Sequence, residues 1–412
     1  MATDQRSVPL EQLRVADACH WQEGPPHELF AEMRESCPMH WSSGIEEWPQ
    51  EAGFWSIVRA DDVHAISRDW ETWSSEKGGF TAALTILPLE LQQAMFIGMD
   101  PPKHDRLKTL FQKGFTPKRI AEHEPAIRAI TTGVLDGLAG RETCDLVTDV
   151  AQPVVARVIG SFMGIPPEDD IVWAQLMATT LGAGDPDITP EGPQTVIERE
   201  VPEIFRRCGE LIAARRAVPT DDLTSVLVHA ELDGRGLEEH EIVMGFFLLM
   251  AAGNDSTKAT YCSGMRALME DRAQLDQVVA DPGLIPGVVE ESLRMFPAFA
   301  HFARTATRDV EFGGVTVREG EKVVLWYPSS NRDATRYEDP DHFDIHRHPE
   351  HQAFGAGGRH YCLGTALARL ELRILFEESL ARYPQMTIAG RPRHVVNPFA
   401  NQLKTLPVRL VA

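Results

Sequence analysis

The chain has 412 residues, with 40 Lys+Arg against 61 Asp+Glu and a formal net charge of −21. Phosphate-rich surfaces repel so acidic a chain, which excludes a general nucleic-acid or anionic-membrane binder. Hydrophobic residues at 43% and charged residues at 25% exclude collagen-like, disordered and disulfide-scaffold proteins. Length alone suggests two or three domains, and a chain this long buries about three-quarters of its surface without a disulfide or metal staple. The six cysteines (Cys19, Cys37, Cys144, Cys208, Cys262, Cys362) include no CxxC pair, which suits a reducing cytoplasm. The N-terminus, MATDQRSVPLEQLRV, lacks a basic region followed by an apolar stretch, so no signal peptide is expected. The longest apolar run, Met244–Ala252, is about half a membrane span. A soluble, cytoplasmic chain is expected.

In chain order, apolar periodicity predicts a helix over Glu28–Glu35, a strand over Phe54–Arg59, and helices over Arg119–Leu138 and Cys144–Phe162. The Gly-, Pro- and Asp-rich stretch Leu181–Gln194 reads as a mobile surface loop between helices, or as an interdomain linker. Helices follow over Val201–Arg216, Glu238–Asp271 and Glu290–Phe296; the second is apolar in its middle, as a helix crossing a large protein must be. Strands Val310–Phe312, Val315–Val317 and Lys322–Tyr327 are separated by GG and EG turns, and a helix over Leu363–Tyr383 follows. There is no internal repeat or low-complexity tract. The fold class is mainly α with a minor, segregated β region.

Residues Ala353–Glu371 read AFGAGGRHYCLGTALARLE. A Gly-rich loop feeds Cys362 into the start of a long helix, where unpaired N–H groups and the helix dipole favour thiolate, as do Arg359 and His360 nearby. Gly355, Gly357, Gly358 and Gly364 clear side chains from a place where a large flat group could lie against backbone. Together these features point to a haem iron with cysteine as axial ligand. Plain core packing is the commoner fate of one cysteine. A dinucleotide loop is ruled out because GxGxxG is not matched and no strand precedes it. A zinc site on His342, His346, His348, His351, His360 and Cys362 lacks the paired short intervals of such sites.

These residues resemble the signature of the cytochrome P-450 haem-thiolate monooxygenases, Phe-Gly-x-Gly-x-His-x-Cys-Leu-Gly followed by Ala-Arg-x-Glu. Gly358, His360, Cys362, Leu363, Gly364, Ala368, Arg369 and Glu371 match. Phe354 lies one residue further from Cys362 than is usual, like the variant in bacterial enzymes acting on sterol side chains and branched lipids. The resemblance runs from about Trp21 to Leu410, which implies a single P-450 domain over 1–412, with residues 1–20 a loosely ordered N-terminal segment. It implies haem b with the Cys362 thiolate as axial ligand, and Phe354 and Gly364 beside the cofactor.

Further motifs follow in family order. Glu291 and Arg294 form the expected Glu-x-x-Arg pair, chosen over the background pairs Glu11/Arg14 and Glu203/Arg206 because Asn331–Asp333 and DPDHFD (Asp339–Asp344) come after it. The resemblance places His342 as their third partner in a structural lock. Ala252-Gly253-Asn254-Asp255-Ser256-Thr257 resembles the oxygen-activation motif on the long helix; an acid in an apolar helix is costly unless paired or functional. Ser256 stands where threonine is usual; its hydroxyl still relays a proton but its χ1 is freer. Asp255, Ser256 and Thr257 are the expected catalytic residues. His104, Lys108 (where arginine is usual), Arg304 and His360 are the expected haem-propionate contacts.

Between Lys103 and Arg119 six basic residues (Lys103, Arg106, Lys108, Lys113, Lys118, Arg119) face one acid, Asp105. By resemblance this segment borders the electron-donor face and implies an acidic ferredoxin with a NAD(P)H-dependent reductase. No fused flavin or iron–sulfur domain is expected. Pocket positions are expected in Gly78–Met99, Trp173–Phe205, Leu249–Ala252, Pro297–Phe302 and near Phe399, with Leu249, Ala252, Phe299 and Phe399 in the wall. That lining is mostly aliphatic with phenylalanine, implying a bulky apolar substrate: a sterol, terpenoid or branched lipid. The implied activity is insertion of one oxygen atom from O2 into an unactivated C–H bond. The other readings are a non-catalytic haem sensor or carrier, and a zinc enzyme on the His342–Cys362 cluster.

Overall fold

The computed structural model describes residues 13–46, 51–82, 87–112, 114–232 and 234–411. Glu11, Lys113, residues 1–12 of the N-terminal segment and residues 83–86 of the first pocket segment therefore lie outside the described residues.

The architecture is helical with a small sheet to one side. The five-stranded sheet runs in the order Met39–Ser42, Phe54–Ile57, Lys322–Trp326, His301–Ala306, Trp73–Ser74. Only Lys322–Trp326 against Phe54–Ile57 is parallel. Val310–Phe312 and Val315–Val317 form the expected hairpin, turned by Gly313 and Gly314, both at positive φ (57° and 85°) that glycine adopts without strain.

The central helix spans Glu239–Glu270, one residue inside its predicted ends. Glu238 and Glu241 start it with a reciprocal capping box, which satisfies two orphan N–H groups. Its first half (Ile242, Phe246, Met250) belongs to one apolar core and its second (Tyr261, Met265, Leu268) to another. The segment between those cores, residues 252–260, carries the Gly, Asp, Ser and Thr of the motif. Gly253 is needed there for packing: a Cβ would press 2.6 Å from Ile159 on the adjacent helix Gln152–Met163.

Several expected elements are corrected. Arg119–Leu138 is two helices, Pro117–Ala121 and Glu124–Asp136, because Pro125 favours a fresh helix start. Cys144 lies in a strand, Thr143–Asp145, that pairs with Pro407–Arg409; tertiary pairing overrides helical periodicity there. Asp145 then caps a π-helical turn leading into Gln152–Met163. The stretch Leu146–Met163 is long and apolar enough to cross a membrane, but 61% of it is buried inside the protein. Glu290–Phe296 is the end of a longer helix, Ile285–Met295. The loop after Leu181 is pinned: Asp185, fully buried, accepts from the Val396 and Asp187 N–H groups and pairs with Lys404. It is thus neither a loose surface segment nor a linker.

Candidate active site

Cys362 enters the helix Thr365–Arg382 from a loop closed by its own N–H, which donates to the Phe354 carbonyl (2.9 Å). Gly355, at φ 87°, and Gly364 line the cavity that Cys362 faces. Gly358 serves the chain instead, since a Cβ there would collide with the Ser67 carbonyl. Arg369 packs over the Phe354 ring at 4.8 Å and grips Glu290 with two bonds (2.6 and 2.9 Å), so the loop is tied to the helix Ile285–Met295. Phe354 is largely buried yet lines the same cavity.

The thiol is reachable by water from the cavity but sits at interior depth. Burial pushes it up, against the Gly364 N–H, Lys108 and Arg369, which act downward. This corrects the expected cations. Arg359 is engaged with Asp105 (3.1 Å), and burial with nearby Arg304, His104 and Lys108 holds His360 neutral. Lys108 donates to the carbonyls of Arg359 and Tyr361, both at 2.6 Å, so it also braces the cysteine loop.

The cavity is lined from the cysteine loop, the helix Thr365–Arg382, the central helix and the strand His301–Ala306. Among the described residues, two buried ring nitrogens of its wall, His104 Nε2 and His360 Nδ1, have no protein partner. Their rings lie 4.3 Å apart. Arg304 is 4% exposed and its guanidinium donates to the Ala303 carbonyl at 2.6 Å, with burial lowering its pKa. Buried ring nitrogens left unpaired and a buried guanidinium beside a cysteine at a helix start fit the propionates and iron of a haem.

Opposite Cys362 runs the central helix. Ala252, Gly253, Ser256 and Thr257 line the cavity, whereas Asp255 does not. The Asp255 carboxylate is ion-paired with Lys258, both side chains 5% exposed. Sequence reading missed Lys258, although an acid and a lysine three apart share a helix face. The Ser256 hydroxyl donates to the Ala252 carbonyl (2.7 Å). Thr257 donates to Glu371 Oε2 (2.8 Å), a fully buried carboxyl that burial pushes up to about 8, against that hydrogen bond. Glu371 matched the signature but had no assigned role; it too lines the cavity.

That shift has a testable sign. Glu371 stays protonated in the folded chain at pH values where the unfolded chain, with a carboxyl near 4.5, is ionised. Stability is therefore expected to fall as pH rises from about 4.5 through about 8. In Glu371→Gln this contribution is gone, so melting temperatures at about pH 6 and about pH 9 should differ less than in the parent protein. An equal difference in both would remove Glu371 as a buried acid.

The structure corrects the third member of the Glu291/Arg294 lock. The pair is fully buried, with Arg294 donating to both Glu291 oxygens (2.6 and 2.8 Å). The side chain joining it is Arg347, 3.1 Å from Glu291 Oε1. His342 is exposed and offers only its backbone carbonyl to Arg294 (3.2 Å). The histidine cluster is likewise dispersed: His346 meets Gln277, His351 meets Glu290, and His360 meets Ser75. Among the described residues no group of three metal-binding side chains converges.

The expected pocket segments do converge. Leu249, Ala252 and Phe299 line the cavity that Cys362 faces; Phe399, with Ala252 and Phe299, lines a second, adjoining one. The two share Ile97, Leu248, Ala252, Phe299 and Phe302.

Comparison with known proteins agrees with this geometry. The Cytochrome P450 family model matches residues 213–398. The chain is 33% identical over 97% of its length, and 95% of the relative's, to a methyl-branched lipid omega-hydroxylase of Mycobacterium bovis. It belongs to the cytochrome P450 family. A steroid C26-monooxygenase of Mycobacterium tuberculosis is 36% identical over 80% of this P450 and 89% of the relative. A Mycobacterium marinum cytochrome P450 solved in complex with pseudoionone superposes with a TM-score of 0.91 at 33% identity, covering 98% of this chain and 100% of that one. This P450 is a haem-thiolate monooxygenase, with Cys362 as the cysteine that ligates the iron.

Proposed function

We propose that this P450 inserts one oxygen atom from O2 into an unactivated C–H bond of a bulky, elongated apolar molecule, a sterol, terpenoid or branched lipid. The observation that carries this reading is the pair of adjoining cavities whose shared wall is wholly apolar. The methyl-branched lipid and steroid substrates named for its relatives support the same class. The whole chain forms one P450 unit, working in the cytoplasm with all six cysteines free.

When bound, the haem supplies dioxygen activation and C–H oxidation. His104, Lys108, Arg304 and His360 would hold its propionates, and Lys108 also braces the cysteine loop. Ala252, Leu249 and Phe299 present the substrate C–H and keep water out. Ser256 sits at the cavity wall and passes protons inward, while the protonated Glu371 and Thr257 form a reserve in the same wall. Asp255, an ion-paired carboxylate, relays protons drawn from the Lys258 ammonium toward Ser256. Lys103, Arg106, Lys118 and Arg119 are exposed on the helices Lys103–Gln112 and Pro117–Ala121, the first of which borders the Cys362 loop, and steer an acidic ferredoxin, served by a NAD(P)H-dependent reductase.

A carbon monoxide spectrum of the reduced protein, followed by sterol and branched-lipid titrations read by spin-state shift, tests the assignment. A red-shifted Soret band with no shift for either lipid class would overturn the substrate reading and leave the family intact. Ser256→Ala is expected to raise peroxide release relative to product several-fold, measured as peroxide per NADH consumed. An unchanged ratio would move the relay to Thr257 and Glu371.

A further inference from the structure

The second cavity is bounded by the short helix Leu89–Ala94, the loop beside Phe80, the end of the helix Asp170–Leu181, the start of the helix Val201–Ala217 and the central helix. It joins the Cys362 cavity along Ile97, Leu248, Ala252, Phe299 and Phe302. Ala252 is exposed although it sits at the middle of the central helix, because that side of the helix faces the open passage. Phe80, Phe299, Phe302 and Phe399 pack against one another, with neighbouring ring centroids 5.2 to 6.3 Å apart, and make one part of the wall. Leu181, Val196, Ile197 and Val201 supply aliphatic surface. A chain that reaches from the Cys362 cavity past Ala252 puts its far end here.

Among the described residues, the wall includes three polar side chains, Thr81, Gln92 and Thr180, none more than 5% exposed. Each turns its polar atoms into the protein. Thr180 donates to the Leu176 carbonyl (2.7 Å), Thr81 is bonded to His301 Nε2 (3.0 Å), and Gln92 Nε2 donates to the Leu87 carbonyl (2.9 Å). Gln92 Oε1 is buried against Gly79. The surface these described residues leave to a ligand is almost entirely carbon. A hydroxyl or carboxylate entering the cavity loses its water and finds no partner in that wall. A water carried in with it lacks the two or more polar contacts that hold a buried water. A hydrocarbon end meets neither cost and gains burial.

We propose that the second cavity is a subsite for a hydrocarbon end, so that the substrate is an isoprenoid or branched chain carrying no hydroxyl or carboxylate at the end remote from the oxidised carbon. The inference rests on the proposed elongated apolar substrate and narrows its class. Any polar group of the substrate lies at the end nearer Cys362. A sterol is then accepted only with its hydroxyl-bearing ring toward Cys362 and its alkyl side chain in the second cavity.

The test uses the haem-loaded enzyme and one carbon skeleton with and without a polar end: 2,6,10-trimethyldodecane, 3,7,11-trimethyldodecan-1-ol and the matching acid. Binding is read by the spin-state shift and the site of oxidation by product analysis. The hydrocarbon is expected to bind about tenfold or more tightly than the alcohol, the effect of one buried hydroxyl without a partner, and the acid more weakly still. Alcohol that does turn over should be oxidised in its hydroxyl-bearing half. Ala251→Leu and, from another helix, Val201→Phe each fill the second cavity without touching the first. Both should weaken the trimethyldodecane at least tenfold more than its shorter homologue 2,6-dimethyloctane, and Soret and carbon monoxide spectra like the parent's show that the variants are folded and loaded. An alcohol or acid that binds as tightly as the hydrocarbon, an alcohol oxidised at its far branched end, or equal weakening of the long and short hydrocarbons would each overturn the proposal while leaving the bulky apolar substrate in place. No spin-state shift with any of these compounds would overturn that broader reading and this inference together. Failure of the family-level chemistry would show separately, as loss of the red-shifted carbon monoxide band in the parent.

Discussion

Cys362→Ala is expected to abolish the red-shifted carbon monoxide band and to reduce turnover to background, while the far-ultraviolet circular dichroism stays that of the parent. The two effects separate because the loop is held by groups other than the thiol. Its closure uses the Cys362 N–H and the Phe354 carbonyl, the Lys108 ammonium on two carbonyls, and Arg369 on Glu290. None of these bonds is lost with the sulfur atom. The thiol itself is pushed up by burial. Loading haem onto the apoprotein must then displace the thiol proton, so uptake is expected to release a proton and to strengthen as pH rises. A variant that keeps the thiolate band would remove Cys362 as ligand. A variant that loses its circular dichroism as well would show that the sulfur is structural.

How much of this was legible in the sequence depends on whether the signal was local. The cysteine loop, the central helix and the Val310–Val317 hairpin are set by contiguous residues: glycines at positive φ, a capping box, and an apolar run of helical length. The pocket segments could be placed by resemblance, and the five of them do meet. What could not be read was pairing across the chain. Thr143–Asp145 carries helical periodicity but is claimed by Pro407–Arg409, far away in sequence. The short helices Ala60–Arg68 and Arg272–Ala280 lack a long apolar stripe and were not predicted. At the site, the identity of Asp255 was visible but its direction was not. Only the fold shows that Lys258 holds it on the face away from the cavity, leaving Ser256, Thr257 and Glu371 in the wall. The downward pull of helix-end N–H groups and cations on the Cys362 thiol was legible, but the opposing burial was not, since helix-end charge is local and burial is not.

The Glu291–Arg294 lock is where substitution is expected to cost most in stability. One guanidinium, fully buried, donates to both oxygens of Glu291 and to the carbonyls of Asn331 (2.9 Å), Pro340 (2.7 Å) and His342 (3.2 Å). It also lies 5.1 Å from the centre of the Tyr337 ring. These carbonyls belong to the chain segment that leads into the cysteine loop, so one side chain fixes that segment to the helix Ile285–Met295. Removing one member of a buried ion pair leaves the other charge without its main partner, at about 3–5 kcal/mol. Against a total stability of about 5–15 kcal/mol, Arg294→Ala should unfold at markedly lower temperature and retain little haem. Arg294→Lys keeps the charge but has three donors where the guanidinium uses five bonds, so an intermediate loss is expected. Arg347→Ala should cost less, because Arg347 is partly exposed and Glu291 retains Arg294. His342→Ala should behave as the parent, since only the backbone carbonyl at that position enters the lock. Denaturation midpoints and haem content for the four variants check the order. If His342→Ala proved as damaging as Arg294→Ala, the imidazole rather than Arg347 would be the third member.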